Sequence, residues 1–134
     1  MWLTSMLGYA TLAIELKDLD AAERLLAIIE PYAGQIATNL GPAGAYAGRL
    51  ASLLGRPDVA DRHLDAAFRI VDAFDWDYHR AAILMARAAA RHGPFGQIDD
   101  TARSWLQTAA DICVARGLPG MLAAIRELSG ELGR

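Results

Sequence analysis

Arg80, Arg87 and Arg91 lie seven and four residues apart, a spacing that places three guanidinium groups on one face of a helix. A guanidinium grips a carboxylate or phosphate through two parallel hydrogen bonds, so such a stripe suits an acidic peptide segment or its C-terminus. Arg49 and Ser52, at exposed positions of an earlier helix, are expected to stand beside the stripe, and Thr4, Thr11 and Glu15 to extend it from the first helix. The competing reading is that these arginines pair with the abundant aspartates or simply solvate their face.

Reactive side chains do not assemble into a catalytic or metal-binding pattern. His63, His79 and His92 belong to no HExxH motif, and the single cysteine, Cys113, is remote from them in sequence. Cys113 follows Ile112 without a matched histidine and reads as a small buried hydrophobe. Asp75 stands four residues before His79, close enough to pair on one helical turn, but the expected role of Asp75 is to cap the fifth helix, with Trp76 covering a hairpin junction. Ser52 lacks the strand-turn-helix setting of a nucleophile elbow, and no phosphate-binding loop of the Gly-x-x-x-x-Gly-Lys-Ser/Thr type occurs. A protein that is not an enzyme and holds no cofactor or metal is expected.

The elements that must carry these residues follow from composition. The chain has 134 residues, the size of one domain at the usual rough figure of 100 to 200. With 54% hydrophobic and 22% charged residues and a mean hydropathy of +0.18, it is rich enough in apolar side chains to fold around a core. Thirteen Lys and Arg against 16 Asp and Glu leave a net charge of -3, without the basic excess of a nucleic-acid-binding domain. One cysteine excludes an internal disulfide framework and fits a reducing cytoplasm. The apolar start up to Leu16 has no Lys or Arg and reads as a core helix rather than a secretory signal, and the uncharged stretch 31–48 is interrupted by prolines and glycines, so no membrane span is expected.

Alanine supplies about a fifth of the chain, and apolar residues never alternate with period two, so the fold is expected to be all-α. Glycine, proline and aspartate clusters divide it into seven helices at about 2–16, 20–33, 42–54, 58–74, 76–92, 99–116 and 119–132. Asp20, Asp58 and Asp99 or Asp100 are the expected N-caps, and Gly55, Gly93 and Gly117 the expected stops. The second, fourth and sixth helices share an Asp-x-Ala-x-x-x-Leu pattern. It is carried by Asp20, Ala22 and Leu26, by Asp58, Ala60 and Leu64, and by Asp100, Ala102 and Leu106, at offsets of 38 and 42 residues, continuing at Ile29, Ala67 and Ala109 and then at Tyr32, Ile70 and Ile112. Such a period with two helices per unit predicts an α-solenoid of three antiparallel hairpins, at about 2–33, 42–74 and 76–116, closed by an end helix at 119–132. Ala10, Gly48 and Ala86, at matching places on the first helices, would allow the hairpin axes to come close.

At Ala60, Leu64 and Ala67 the sequence resembles tetratricopeptide repeats. The segments Pro31-Tyr32-Ala33-Gly34, Leu54-Gly55-Arg56 through Leu64, and Ala115-Arg116-Gly117-Leu118 are similar to the C-terminal repeat region of large bacterial signalling ATPases, in which a cyclase or a LuxR-type DNA-binding domain accompanies an NTPase module. Departures are Lys17 at a position where turn glycine is common and the longer loop at 93–99. The resemblance implies a cytoplasmic, non-catalytic interaction scaffold of a signalling or transcriptional regulator, docking a peptide or a neighbouring domain in its concave groove, without direct nucleic-acid binding. The alternative is a helical sensor domain that binds an anionic small molecule in an apolar pocket rimmed by arginines.

Residues 1–78 carry -5 and residues 79–134 carry +2, so head-to-tail association of two copies is one expected route to a homodimer. Trp2, Leu3, Met6, Leu7, Tyr9, Leu12 and Ile14 wrap more of the circumference of helix one than one buried face needs, so this helix is expected to pack on a preceding repeat of a longer chain or on a second copy.

Overall fold

The computed structural model describes residues 2–37, 40–91 and 99–132. Among them seven α-helices follow one another: α1 (Trp2–Leu16), α2 (Leu19–Ile29), α3 (Ala43–Leu53), α4 (Pro57–Ala73), α5 (Asp77–Arg91), α6 (Asp100–Arg116) and α7 (Pro119–Leu132). The fold class is all-α; the only β-type pairing among the described residues is an isolated bridge between Ile36 and Pro42. Internal contacts divide the chain into two compact units, residues 1–70 and 71–134, where the sequence reading treats it as one. Each unit is taken by itself below.

Four helices end in the same turn. Lys17 (φ 53°), Gly55 (φ 72°), Asp75 (φ 53°) and Gly117 (φ 65°) adopt the left-handed conformation. The next backbone N–H donates to the carbonyl five residues back, Asp18 to Ala13 at 3.0 Å, Arg56 to Ala51 at 2.9 Å, Trp76 to Val71 at 3.1 Å and Leu118 to Cys113 at 2.9 Å. This Schellman arrangement satisfies carbonyls that the helix end leaves without partners, and the four accepting residues are buried. A following helix begins within two residues each time. Lys17 therefore occupies the place of a turn glycine, and Asp75 does the same at the end of α4.

Three expected features of the helix starts are corrected. Asp18, not Asp20, caps α2, its side chain accepting from Ala21 N at 3.1 Å, because the Schellman turn at Lys17 leaves Asp18 as the first extended residue. Asp58 lies inside the first turn of α4, which begins at Pro57, where a missing N–H costs nothing. Asp75 is likewise no cap of α5, since it forms the left-handed stop of α4 and α5 begins at Asp77. Asp99 caps α6 as expected, accepting from Ala102 N at 2.8 Å. The expected stop Gly93 lies outside the described residues. The second helix also ends earlier than the expected 33: Pro31 has no N–H and its ring opposes a continued helix, so Glu30–Tyr32 tighten into a 3-10 turn.

In the first unit α1 packs on α2 and α3, and α2 on α3. Ala22, Leu26 and Ile29 of α2 and Ala60, Leu64 and Ala67 of α4 are buried, as the shared pattern requires. Gly48 is the point of close approach between α3 and α4, since a Cβ there would lie 2.5 Å from Leu64 Cγ and 3.2 Å from the Ala60 carbonyl oxygen. Two polar side-chain contacts seven residues apart run alongside, the ion pair of Glu23 with Arg56 at 2.5 Å and the hydrogen-bonded pair of Glu30 with His63 at 2.8 Å. That matching step places the start of α4 beside α2 with both chains running in the same direction.

In the second unit α5 packs on both α6 and α7, and α6 on α7. Ala102, Leu106 and Ala109 are buried on α6, again at the expected positions, and Ile125 is buried on α7. On α5 the buried residues are Ala81, Ile83, Leu84 and Ala88, whereas Ala86, expected to match Ala10 and Gly48, is only partly buried. Ala10 and Gly48 each stand three residues before the buried carbonyl that accepts in the Schellman turn, Ala13 and Ala51, and seven before the left-handed residue. The segment that follows α5 lies outside the described residues, and the buried stripe of α5 falls at 81, 84 and 88.

Candidate functional site

Helix α5 places the predicted arginines on one side, and the structure supplies each with company. Arg80 is ringed by aspartates of its own neighbourhood, at 3.3 Å from Asp72, 4.0 Å from Asp75 and 3.0 Å from Asp77. The guanidinium of Arg87 lies over the Trp105 ring of α6 at 4.1 Å, and that of Arg91 lies 5.7 Å from the same ring. Both distances fall in the cation–π range. Arg91 also donates to Asp99 at 2.5 Å, and Arg116 at the end of α6 pairs with Asp77 at the start of α5. The stripe is thus a set of ties between α5, its turns and α6, and with Arg103 on Asp100 at 2.9 Å four of the seven basic residues of 79–134 pair with aspartate. Arg49 and Ser52 sit partly exposed on α3 in the other unit, as do Thr4 and Thr11 on α1.

These ties act on the aspartates. The hydrogen bond from Arg116, with a smaller share from Arg80, holds the Asp77 carboxyl below the ordinary carboxylate range. Asp99 is lowered as well, first by the backbone N–H of Ala102 that it caps and then by Arg91. Burial pushes the Cys113 thiol up, which disfavours the nucleophilic thiolate.

The histidines do not come together. His63 pairs with Glu30 in the first unit, while His79 in the second stands between Trp76 and Tyr78 at ring separations of 5.8 and 5.4 Å, and His92 lies outside the described residues. No group of three His, Cys, Asp or Glu side chains able to hold a metal ion occurs among the described residues. Nor is any helix there long and apolar enough to cross a membrane.

Two apolar surfaces were less legible. On α1, Trp2, Tyr9, Leu12 and Leu16 are 50%, 56%, 52% and 68% exposed. Their spacing of seven, three and four residues is that of one seam of a heptad, a stripe distinct from the buried Leu7, Ala10 and Ala13. Trp2 meets the Tyr32 ring edge-on at 5.1 Å, which anchors the start of the seam. The excess of apolar residues on this helix was visible in the sequence; which of them face outward was not.

The second surface is a groove of about 490 Å³ between α6 and α7. Ala110, Val114, Leu122 and Ile125 form its apolar lining, and its charged lining is Arg126, Asp111 and Arg103, the last paired with Asp100 at 2.9 Å. Val114 is 68% exposed, so the groove is open to solvent. Sequence reading had no means of finding it, because its residues are ordinary members of two alanine- and leucine-rich helices and become a site only when those helices pack side by side. Comparison with known protein families, with curated proteins and with solved structures finds no match to this chain.

Proposed function

We propose that this chain is a non-catalytic protein–protein interaction module, built as a tetratricopeptide-like array of helix hairpins. The single observation that carries the reading is the apolar seam on α1, where four large side chains lie half exposed or more in heptad register. The hairpin array is supported by the buried Ala-x-x-x-Leu stripes of α2, α4 and α6 and by the repeated Schellman turn. An acidic peptide held by the arginines of α5 is less favoured than the sequence suggests, since Arg80 and Arg91 already have carboxylate partners. The setting in a bacterial signalling or transcriptional regulator rests on the resemblance of residues 31–34, 54–64 and 115–118 alone.

A photo-reactive residue in place of Leu12, in the chain expressed in cells, is expected to yield a discrete protein adduct that the same residue at exposed Asp58 does not. Equal cross-linking at both positions would remove the reading.

One observation favours a second reading, an anionic effector held between α6 and α7: the groove there combines an apolar lining with the guanidinium of Arg126, while Arg103 is already paired with Asp100. Titration with a medium-chain fatty acid distinguishes it, because an effector site should raise the melting temperature steadily with the logarithm of ligand concentration above the dissociation constant. Arg126→Ala should abolish that shift.

A further inference from the structure

We propose that the exposed apolar face of α1 and α2 is a homodimer interface, in which the α1 seam packs antiparallel against the same seam of a second copy about a two-fold axis at Tyr9. The inference rests on the interaction-module reading and names the partner as this chain itself. Every residue involved lies in the first unit.

The seam is spaced to meet its own reverse. Trp2, Tyr9 and Leu16 stand seven residues apart with Ser5 and Leu12 between them, all exposed, in the three-and-four alternation of a helix-pairing stripe. Trp2 and Leu16 are equally far from Tyr9, about 10 Å along the helix at 1.5 Å per residue. A two-fold axis at Tyr9 therefore sets Trp2 against Leu16 of the partner subunit at both ends and Tyr9 against its own copy at the centre. Parallel pairing instead opposes Trp2, Glu15 and Lys17 each to its own copy.

The face continues onto the neighbouring helix and is large enough for a stable contact. Tyr32 touches the Trp2 ring at 5.1 Å, and Ile28 stands one turn before Tyr32, both exposed. At roughly 200 to 230 Å² for each fully exposed residue of this size, Trp2, Tyr9, Leu12, Leu16, Ile28 and Tyr32 together offer about 600 to 700 Å². Two copies then hide about 1,200 to 1,400 Å², inside the roughly 1,200 to 2,000 Å² of specific, stable interfaces. The charged residues nearest the face carry both signs, Glu15 and Lys17 at the end of α1 and Asp20 and Arg24 one turn apart on α2, so no field of one sign opposes a like copy. Apolar area and the symmetry of the spacing select the occupant.

Sedimentation equilibrium of the 134-residue chain tests this directly. The weight-average mass should climb toward twice that of one chain by about 0.1 mM and level there, because a contact between identical patches closes at two. Tyr9→Lys and Tyr9→Glu alter an exposed side chain and should each give a monomer with unchanged helical circular dichroism, since a like charge then faces its own copy across the axis. An equimolar mixture of the two variants should dimerise again, one chain of each kind.

A wild-type chain that stays monomeric at that concentration overturns the inference, as does a mass that passes twice the monomer, a Tyr9→Lys chain that still dimerises, or a mixture that remains monomeric. If Leu12 cross-links to a different protein in cells while the purified chain is monomeric, the interaction-module reading stands and the two-fold dimer falls.

Discussion

Gly48 sits where α3 and α4 come together with no room for a side chain, 2.5 Å separating its would-be Cβ from Leu64 Cγ. Gly48→Ala gains about 1 kcal/mol of helix propensity but forces Leu64 and the Ala60 carbonyl away, at roughly 1 to 3 kcal/mol. The net outcome expected in a thermal melt is a lowered transition, and a raised one would place the α3–α4 contact elsewhere. Ala60→Leu on the facing helix should destabilise by a similar 1 to 3 kcal/mol for the same reason, since Ala60 is fully buried. The aspartates give a pH prediction. Asp77 and Asp99 have lowered carboxyl pKa values in the folded chain. Their contribution is therefore complete above the unfolded value of about 4 and is lost as pH falls through the folded ones. Melting temperature should stay level from neutral pH to about pH 5 and then fall, and Asp77→Asn should flatten part of that fall. Cys113 is buried with its thiol pKa raised, so a thiol reagent should label it only in denaturant. Rapid labelling of the native chain would contradict its burial.

At the scale of elements, the sequence places all seven helices, most of their ends within a residue or two, because helix punctuation in this chain is local chemistry. Gly55 and Gly117 read directly as stops, and the alanine and leucine stripes of α2, α4 and α6 read directly as buried faces. Lys17 was legible as the residue standing where a turn glycine is common, whereas the Schellman turn at Asp75 was hidden because an aspartate there reads as a helix cap. A residue with a side chain at the left-handed position costs about 1 kcal/mol relative to glycine. Lys17→Gly should accordingly raise the melting temperature by a few degrees, the shift expected of about 1 kcal/mol in a domain of this size. No gain would mean that the Lys17 side chain makes a compensating contact. The arginine stripe was half legible: its seven- and four-residue spacing put Arg80, Arg87 and Arg91 on α5 together, but Trp105 and Asp99 reach them from the next helix and its cap, which spacing along one helix cannot reveal.

For the molecule as a whole, the recorded packing joins helices that are neighbours or next neighbours in the chain, within each unit. Contacts of such short sequence separation belong to the fast-folding class, in microseconds to milliseconds. A stopped-flow refolding trace should therefore be complete within the instrument's first milliseconds unless the prolines add a slow phase. Ribosomes add about 5 to 20 residues per second, so residues 71–134 take about 3 to 13 s to follow the first unit. The α1 seam is thus presented on a nascent chain, beyond the ribosomal exit, long before that chain's own α6 and α7 exist. A binding partner of the seam can therefore engage the chain while it is still being made, before the second unit has been synthesised.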